Sequence, residues 1–216
     1  REDESCEVKF GGNVHVWGNN GKYDITYQDY ETVLAVPYDT PYIGYHNNNV
    51  NPLRLWKAEV VDDTIDYSSF SKGDYAKAIE KKYNSEIISQ ILYPDDSNQS
   101  GKILRLRQEY FFVSAGCQSV LKRFKRYGLP LSEMPNYVAI QINDTHPALV
   151  IPELMRLLMD EEHLEWEPAW EITRKTVAYT NHTILAEALE KWDVPMVQQQ
   201  IPRVYMIIEE IDRRFR

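Results

Sequence analysis

The chain has 216 residues, 43% of them hydrophobic, which is enough to bury one substantial core or two small ones. Its formal net charge of -9 and its isoelectric point near 5.1 argue against a broad basic surface for a nucleic-acid backbone. No apolar run reaches the roughly 20 residues of a membrane-spanning helix, and the acidic start is unlike a secretory signal, so we expect a cytoplasmic protein.

The first 60 residues are predicted to be rich in β-structure. Residues 8–17 and 22–36 alternate loosely between apolar and polar types around a Gly18-Asn19-Asn20-Gly21 turn, which predicts a β-meander. Val33 to Val36 is expected to be its most buried strand. Residues 37–51 contain prolines, glycine and an Asn/His cluster, and we expect an irregular excursion there.

The middle of the chain changes from strand to helix. Residues 54–59 resume as a strand, and 74–83 predict a helix with apolar residues on one face. Ser85 could cap a second, short helix over 86–92. Residues 93–101 are almost entirely turn-forming types, so we expect a loop.

The longest predicted helix runs from Lys102 to about Tyr127 and stops at Gly128. Its apolar residues recur at spacings of three and four, which predicts one buried stripe. The stripe consists of Leu106, Tyr110, Val113, Cys117, Val120, Leu121 and Phe124.

The rear of the chain alternates strands with helices. Two short strands are predicted, over 137–142 and 177–180, and each ends in a polar turn. Helices are predicted over 147–162, 167–174, 187–191 and 194–200, and again beyond Pro202. No linker separates the β-rich section (1–60) from the α/β section (61–216), so we expect a single body.

The two polar turns are the best candidates for a functional site. Asp144 and His146 follow the first strand, and His182 follows the second. Ligands of open α/β sheets bind at the carboxyl ends of strands, where polar side chains and free backbone N–H groups meet. A neutral His182 could bond a ligand hydroxyl. His146 could equally cap the helix that follows it.

Other chemistries find less support. Two cysteines and no HExxH pattern disfavour a zinc site, although Asp144, His146 and His182 could form a two-histidine, one-carboxylate iron site. Phosphate-binding glycine loops and nucleophile elbows are missing from the sequence. The basic run 122–126 suits an anion site or the dipole of a helix end. Fifteen tyrosines and five tryptophans also leave open a carbohydrate-binding module without catalysis.

From about Gly11 to Arg216 the chain resembles the α-glucan phosphorylases, the family of glycogen, starch and maltodextrin phosphorylases. The resemblance implies an α/β fold that forms part of the N-terminal, Rossmann-like lobe of a GT-B glycosyltransferase. It rests on dense, collinear motifs. They are Pro37–Pro41 (PYDTP), Leu53–Trp56 (LRLW), Gln108–Phe111 (QEYF), Asn143–Pro147 (NDTHP), Ile151–Arg156 (IPELMR) and Ala178–Thr183 (AYTNHT).

The family releases glucose 1-phosphate from an α-1,4-glucan with inorganic phosphate, and its cofactor is pyridoxal phosphate. The resemblance implies that the cofactor's lysine and the phosphate-binding residues belong to a C-terminal domain that is absent from this chain. We therefore expect the isolated chain to be inactive. The parent enzyme is expected to be a homodimer.

The resemblance also implies roles for residues. His182 matches the histidine that meets the reacting sugar, and Asp144 and His146 match groups that line the adjoining channel. Glu190 matches a carboxylate at its border. The loop Asp95-Asp96-Ser97 corresponds to a substrate gate that is Asn-Asp-Asn in many members, so its first and third positions depart from the pattern.

An allosteric site is implied less directly. Lys122 and Arg123 fall where animal members place an arginine pair that binds a nucleotide activator, and Arg54 matches another residue near that site. The lysine and the shortened segment between Tyr127 and Tyr137 depart from the pattern and argue against nucleotide control.

Overall fold

The computed structural model describes residues 4–19, 22–61 and 71–216. The chain is a mixed α/β protein and divides into two compact units. Unit 1 comprises Arg1–Val8 and Thr32–Phe111, and unit 2 comprises Lys9–Glu31 and Phe112–Arg216. The expectation that sections 1–60 and 61–216 pack as one body stays a prediction.

The strands and helices of the described residues are as follows. The strands are β1 (Cys6–Phe10), β2 (Asn13–Asn19), β3 (Lys22–Gln28), β4 (Glu31–Ile43), β5 (Val50–Val60), β6 (Ile140–Asn143) and β7 (Val177–Thr180). The α-helices are α1 (Tyr75–Gln90), α2 (Gln99–Lys125), α3 (Met134–Tyr137), α4 (Val150–Arg156), α5 (Trp166–Thr176), α6 (Val194–Gln200) and α7 (Pro202–Phe215). Short 3-10 turns occupy Leu131–Glu133 and Ala186–Ala188, and a π-helical turn occupies Leu157–Glu161.

Unit 1 is built on a long antiparallel ribbon of β4 and β5, with β1 on the other side of β4. The pairing runs from Val33 opposite Val60 to Ile43 opposite Val50. Val33 and Ala35 are fully buried, as predicted for the strand over 33–36. The far half of the ribbon exposes its side chains.

The irregular excursion predicted for residues 37–51 is therefore wrong, because most of it continues the ribbon. Pro37 lies opposite Trp56, and Pro41 lies opposite Pro52. Proline is tolerated in a strand where its missing N–H needs no partner, so the prolines did not mark the end of the strand. Only residues 44–49 form the turn, closed by a hydrogen bond from the Gly44 N–H to the Asn49 carbonyl oxygen at 2.8 Å.

The predicted meander is confirmed only in part, since β2 and β3 pair as a hairpin, whereas β1 pairs with β4 in another sheet. The change of sheet occurs at Gly11 and Gly12, whose φ angles are 64° and 82°. A Cβ on Gly12 would lie 2.5 Å from the carbonyl oxygen of Gln28, so the turn requires glycine. The hairpin register ends with Asn19 opposite Lys22, and the predicted turn residues 20 and 21 lie outside the described residues.

A single helix, α1, replaces the two predicted over 74–83 and 86–92. Ser85 does not cap a second helix. It is buried within α1 and donates its hydroxyl to the carbonyl oxygen of Lys81, one turn earlier, at 3.1 Å. A serine that bonds back to the preceding turn can stay inside a helix. Near its end α1 packs on β5, where the Ala58 N–H donates to Ser89 Oγ at 2.8 Å.

The C-terminal half of α2 forms the spine of the core in unit 2. The helix confirms the predicted long helix, and Gly128, with φ 67°, follows its end. Val113, Cys117, Leu121 and Phe124 are buried, whereas Val120 is partly buried. Helices α4 and α5 and the strand β6 contribute the facing residues. These include Ile142, Leu154, Met155, Leu157, Leu158, Ala169 and Ile172.

Strands β6 and β7 are parallel and are joined by α4, the π-helical turn and α5. The strand predicted over 137–142 begins later, at Ile140, because Tyr137 still belongs to α3. Ile142 faces the core, whereas Gln141 and Asn143 on the opposite side are exposed. This alternation leaves polar groups of β6 accessible where the strand ends.

The helix predicted over 187–191 is wrong, because only the 3-10 turn Ala186–Ala188 forms there. The apolar residues around it are exposed, and Ile184 has 96% of its surface accessible. A helix this short is marginal unless an apolar face is buried. The helices predicted over 167–174 and 194–200 and beyond Pro202 are confirmed as α5, α6 and α7. None of the described helices has the length and apolarity to cross a membrane.

Candidate functional site

The carboxyl ends of β6 and β7 meet in a cluster of polar side chains within unit 2. Asn143 lies opposite Thr180 in the parallel register, and the Asp144 N–H donates to the Thr180 carbonyl oxygen at 2.9 Å. Gln141 Nε2 donates to Thr180 Oγ1 at 2.8 Å. We call Asn143, Asp144, His182 and Thr183 the polar edge.

Asp144 is half-buried, and its carboxylate accepts hydrogen bonds from the segment after β6 and from the segment after β7. Its Oδ1 accepts from the Thr145 N–H at 2.7 Å and from Thr183 Oγ1 at 3.4 Å. The residue has φ 67°, a left-handed conformation that aspartate adopts more readily than most residues. The turn therefore directs the chain out of β6 while the carboxylate stays at the strand end.

The imidazole of His182 is exposed, and its Nε2 is hydrogen-bonded to Oδ1 of Asn143. The backbone around it is shaped by Asn181, whose Oδ1 accepts from the Thr183 N–H at 3.0 Å and whose Nδ2 donates to the Thr183 carbonyl oxygen at 3.0 Å. Tyr179 also donates its hydroxyl to Asn181 Oδ1, at 3.2 Å. These bonds hold His182 at the same edge as Asp144.

His146 and Glu190 occupy positions close in sequence to this edge. His146 is half-buried in the turn between β6 and α4, where the Ala148 N–H donates to the Thr145 carbonyl oxygen at 3.0 Å. Glu190 is half-buried in the segment after β7, beyond the 3-10 turn.

The polar loop, residues 93–98, belongs to unit 1. Asp95 Oδ1 accepts the Ser97 N–H at 3.0 Å, and this hydrogen bond lowers the pKa of the Asp95 carboxyl group below its usual value. Asp96 forms an ion pair with Arg105 at 2.6 Å. Asn98 Oδ1 accepts the Gly101 N–H at 2.9 Å, which caps the start of α2.

The candidate allosteric residues are distant in sequence and belong to different kinds of element, a helix and a strand. Lys122 and Arg123 are exposed in the last turn of α2. Arg54, on β5, binds Asp39 through two hydrogen bonds of 2.7 Å and Glu4 at 2.6 Å. The hydrogen bond to Asp39 raises the pKa of the Arg54 guanidinium above its usual range. Two carboxylates thus hold Arg54 within the β-sheet of unit 1.

The alternative of a two-histidine, one-carboxylate iron site is wrong. Among the residues that the structure describes, which include Asp144, His146 and His182, no three histidine, cysteine or acidic side chains are arranged to hold a metal ion. Asp144 Oδ1 instead accepts hydrogen bonds from the Thr145 N–H and Thr183 Oγ1, and His182 Nε2 is bonded to Asn143 Oδ1.

The polar edge also does not fit pyridoxal phosphate. That cofactor needs a covalently bound lysine and donors for its phosphate group. The polar edge contains no basic side chain other than His182, and none of the lysines whose side chains the structure describes is buried.

Sequence reasoning missed two partners of the edge, Asn143 and Thr183, as site residues. Both stand inside the polar turns that drew attention to their neighbours. The alternation of strand residues could have found Asn143, because it lies on the exposed side of β6, next to the buried Ile142. The partnership of Thr183 with Asp144 depends on the pairing of two strands and left no local signal.

A parallel strand pair with polar groups at its carboxyl edge is typical of ligand-binding α/β proteins. The sequence comparisons define the class further. The model of the carbohydrate phosphorylase family matches residues 1–216, so the chain belongs to that family.

Relatives similar to this chain include proteins named as glycogen phosphorylases. The chain is 50% identical over its full length to "Glycogen phosphorylase 2" of Dictyostelium discoideum, of which it covers 22%. It is 46% identical to "Glycogen phosphorylase" of Bacillus subtilis (strain 168), over 99% of this chain and 26% of that protein. It is 47% identical to the muscle form of glycogen phosphorylase of Ovis aries, over 100% of this chain and 26% of that protein. The chain thus spans about a quarter of the length of these relatives.

Proposed function

We propose that this chain is part of an α-glucan phosphorylase and that its polar edge contacts the glucosyl unit of the substrate. The observation that carries the proposal is the meeting of His182 and Asp144 at one accessible edge, in a chain about half identical to glycogen phosphorylases. The parent enzyme would release glucose 1-phosphate from glycogen or maltodextrin with inorganic phosphate. The chain would form part of the N-terminal lobe of a GT-B fold.

The chemistry of the edge supports a role in holding a sugar. An exposed imidazole and a half-buried carboxylate offer hydrogen-bonding groups to the hydroxyls of a hexose. Their places are set by bonds between the two strand ends, so little rearrangement is needed when a ligand binds. We assign His182 to the reacting sugar and Asp144, His146 and Glu190 to the channel around it.

We further assign Asp95, Asp96 and Ser97 to a substrate gate. The loop meets the requirements of such an element, because its groups are polar, largely exposed and bonded mainly to residues nearby in sequence. Lys122, Arg123 and Arg54 remain candidates for an allosteric site. Arg54 is already engaged by Asp39 and Glu4, which favours a structural role for it.

The phosphate-handling part of the reaction would come from elsewhere in the parent enzyme. Pyridoxal phosphate supplies a phosphate group that assists proton transfer in this family, and its lysine would lie in the C-terminal domain. The chain alone should therefore not catalyse phosphorolysis. The parent enzyme is proposed to act as a homodimer.

The test compares variants of the full-length enzyme in the release of glucose 1-phosphate from maltoheptaose and phosphate. We expect His182→Ala to lower kcat/KM roughly a hundredfold, the usual effect of removing one group that stabilises a transition state. The matched control is His15→Ala, which alters an exposed histidine on the β2–β3 hairpin and should leave the rate unchanged. Wild-type activity in His182→Ala would overturn the assignment.

A further inference from the structure

The contact between His182 and Asn143 bears on which imidazole nitrogen carries the proton. His182 Nε2 meets Oδ1 of Asn143. An amide oxygen has lone pairs and no hydrogen, so it can only accept, and Nε2 must be the donor. A neutral imidazole has a single N–H, which leaves Nδ1 as a bare acceptor.

The backbone around Asn143 is held from two sides. Asn143 ends β6 opposite Thr180, and the following N–H, of Asp144, donates to the Thr180 carbonyl oxygen at 2.9 Å. Two residues earlier, Gln141 is tied to Thr180 Oγ1 at 2.8 Å. The amide of Asn143 is therefore presented from a strand end that is fastened to its neighbour.

The segment that carries His182 is held equally well. Asn181 bonds the backbone N–H and carbonyl oxygen of Thr183, each at 3.0 Å, which closes a turn around the histidine. Thr183 Oγ1 then reaches Asp144 Oδ1 at 3.4 Å. The imidazole thus meets Asn143 across two fixed backbones, while it remains exposed to solvent.

We propose that Asn143 is a positioning residue that selects the Nε2–H tautomer of His182 and so presents Nδ1 as the acceptor for a ligand hydroxyl. The tautomer half follows from the contacts of the two strand ends. Only the ligand half, in which the hydroxyl belongs to a glucan, rests on the proposed function. A ligand whose hydroxyl is replaced by hydrogen would lose this bond, so the arrangement favours hydroxyl donors.

The tautomer is measured by nitrogen-15 NMR of the histidine rings in the 216-residue chain, at a pH where the imidazole is neutral. The His182→Gln variant assigns the resonances. We expect Nε2 of His182 to resonate as a protonated nitrogen and Nδ1 as a bare one. The opposite pattern in the wild-type chain would overturn the proposal.

Two substitutions test the role of Asn143. Asn143→Ala should shift the tautomer ratio about fivefold towards Nδ1–H, the effect expected from the loss of one ordinary hydrogen bond. Asn143→Asp keeps an acceptor oxygen and should retain the Nε2–H form, which a merely structural role would not require. The matched control is Asn136→Ala, an exposed residue bonded to Glu133, which should leave the ratio unchanged. An unshifted ratio in a folded Asn143→Ala variant, judged by its amide spectrum, would contradict the proposal.

The ligand half is tested separately, by titration of maltoheptaose into the full-length enzyme. We expect the Nδ1 resonance of His182 to shift on binding, and the shift to weaken in Asn143→Ala but not in Asn136→Ala. A preserved tautomer with no response of Nδ1 to glucan would remove the ligand half, and with it the sugar contact in the proposed function, while the positioning role stands. A lost tautomer preference with an intact glucan response would remove the positioning role of Asn143, while the sugar contact of His182 stands.

Discussion

The polar loop of unit 1 and the polar edge of unit 2 are made of the same kinds of side chain but are held in different ways. In the loop, Ser97 bonds Asp95 two residues away, and Asp96 pairs with Arg105 nine residues away. In the edge, the bond between Asn143 and His182 and that between Asp144 and Thr183 each span 39 residues. The loop is organised by its own sequence neighbourhood, whereas the edge exists only when two strands pair.

This difference indicates what each region depends on. The loop needs little more than the first turns of α2 to keep its bonds. The edge needs β6, β7 and the helices between them to be in place, because no single segment contains both partners of any of its cross-strand bonds. Damage to the core of unit 2 should therefore reach the edge and spare the local bonds of the loop.

The largest expected effect concerns Glu153, which is fully buried in α4, the helix that follows the Asp144 turn. Its carboxylate accepts two hydrogen bonds from Arg156, at 2.8 and 2.9 Å, and one from Ser114 at 2.7 Å. Arg156→Ala removes an ion pair and two hydrogen bonds from this buried carboxylate, which should lower the free energy of unfolding by about 3–5 kcal/mol. Urea unfolding measures the change.

The control for this variant is Arg174→Ala, which removes a similar ion pair, to Glu171, on the surface of α5. An exposed pair contributes about 1 kcal/mol or less. Equal losses in the two variants would mean that the buried pair contributes no more to the free energy of unfolding than the exposed pair does. In Arg156→Ala the amide resonances of the edge should also move more than those of the polar loop.

The next effect concerns Gly101, where the polar loop passes close to the start of α2. A Cβ at this position would lie 1.7 Å from the backbone carbonyl oxygen of Asp95, so Gly101→Ala must displace the loop. We expect a loss of about 1–3 kcal/mol in the free energy of unfolding, the usual cost of overpacking. Amide resonances of residues 95–98 should shift, and those of the edge should not.

Gly116 provides the matched control, since it lies in the same helix and a Cβ there meets no heavy atom within 4 Å. Gly116→Ala should raise the free energy of unfolding by about 0.5–1 kcal/mol, because alanine favours a helix interior over glycine. A gain in stability for Gly101→Ala as well would show that the loop yields without cost.

The smallest effect is the acid titration of the loop. The Ser97 N–H stabilises the charged form of Asp95 and lowers the pKa of its carboxyl group. For an acid whose pKa is depressed by folding, the contribution of the bond is complete above the unfolded value and is lost as pH falls through the folded value. The Ser97 amide shift should therefore titrate with a midpoint below that of an ordinary aspartate.

The check is an NMR titration of the wild-type chain and of Asp95→Asn. The asparagine variant has no carboxyl group at position 95, so the part of the Ser97 amide shift that reports the bond to Asp95 should no longer titrate. A wild-type midpoint at or above the ordinary aspartate value would contradict the hydrogen bond.

Much of the local structure could be predicted because its signals lie within a few residues. The apolar spacing of α2 and the glycine after it predicted a helix that the structure confirms. The strand at 177–180 and the helix over 194–200 were also confirmed, since each is bounded by a clear change of residue type. The collinear motifs were sufficient to identify the family.

The predictions that were wrong share a physical reason: the structure of those segments depends on residues distant in sequence. The prolines of residues 37–51 predicted an irregular segment, but they belong to the β4–β5 ribbon. Proline is compatible with a strand position at which no backbone N–H has to be donated. The helix former-rich stretch 187–191 found no apolar surface to bury its side chains and made only a single 3-10 turn.

The amino-acid sequence by itself determined where the helices and polar turns of this chain lie and to which family it belongs, since both are recorded in short runs of residues. Only the tertiary structure decided that Asn143 meets His182 and that Thr183 meets Asp144, because these contacts, each between residues 39 positions apart, arise from the parallel register of two strands. A hydrogen bond between distant residues forms only when the intervening chain has folded. The entropic cost of closing that loop cannot be read from the residues next to either partner.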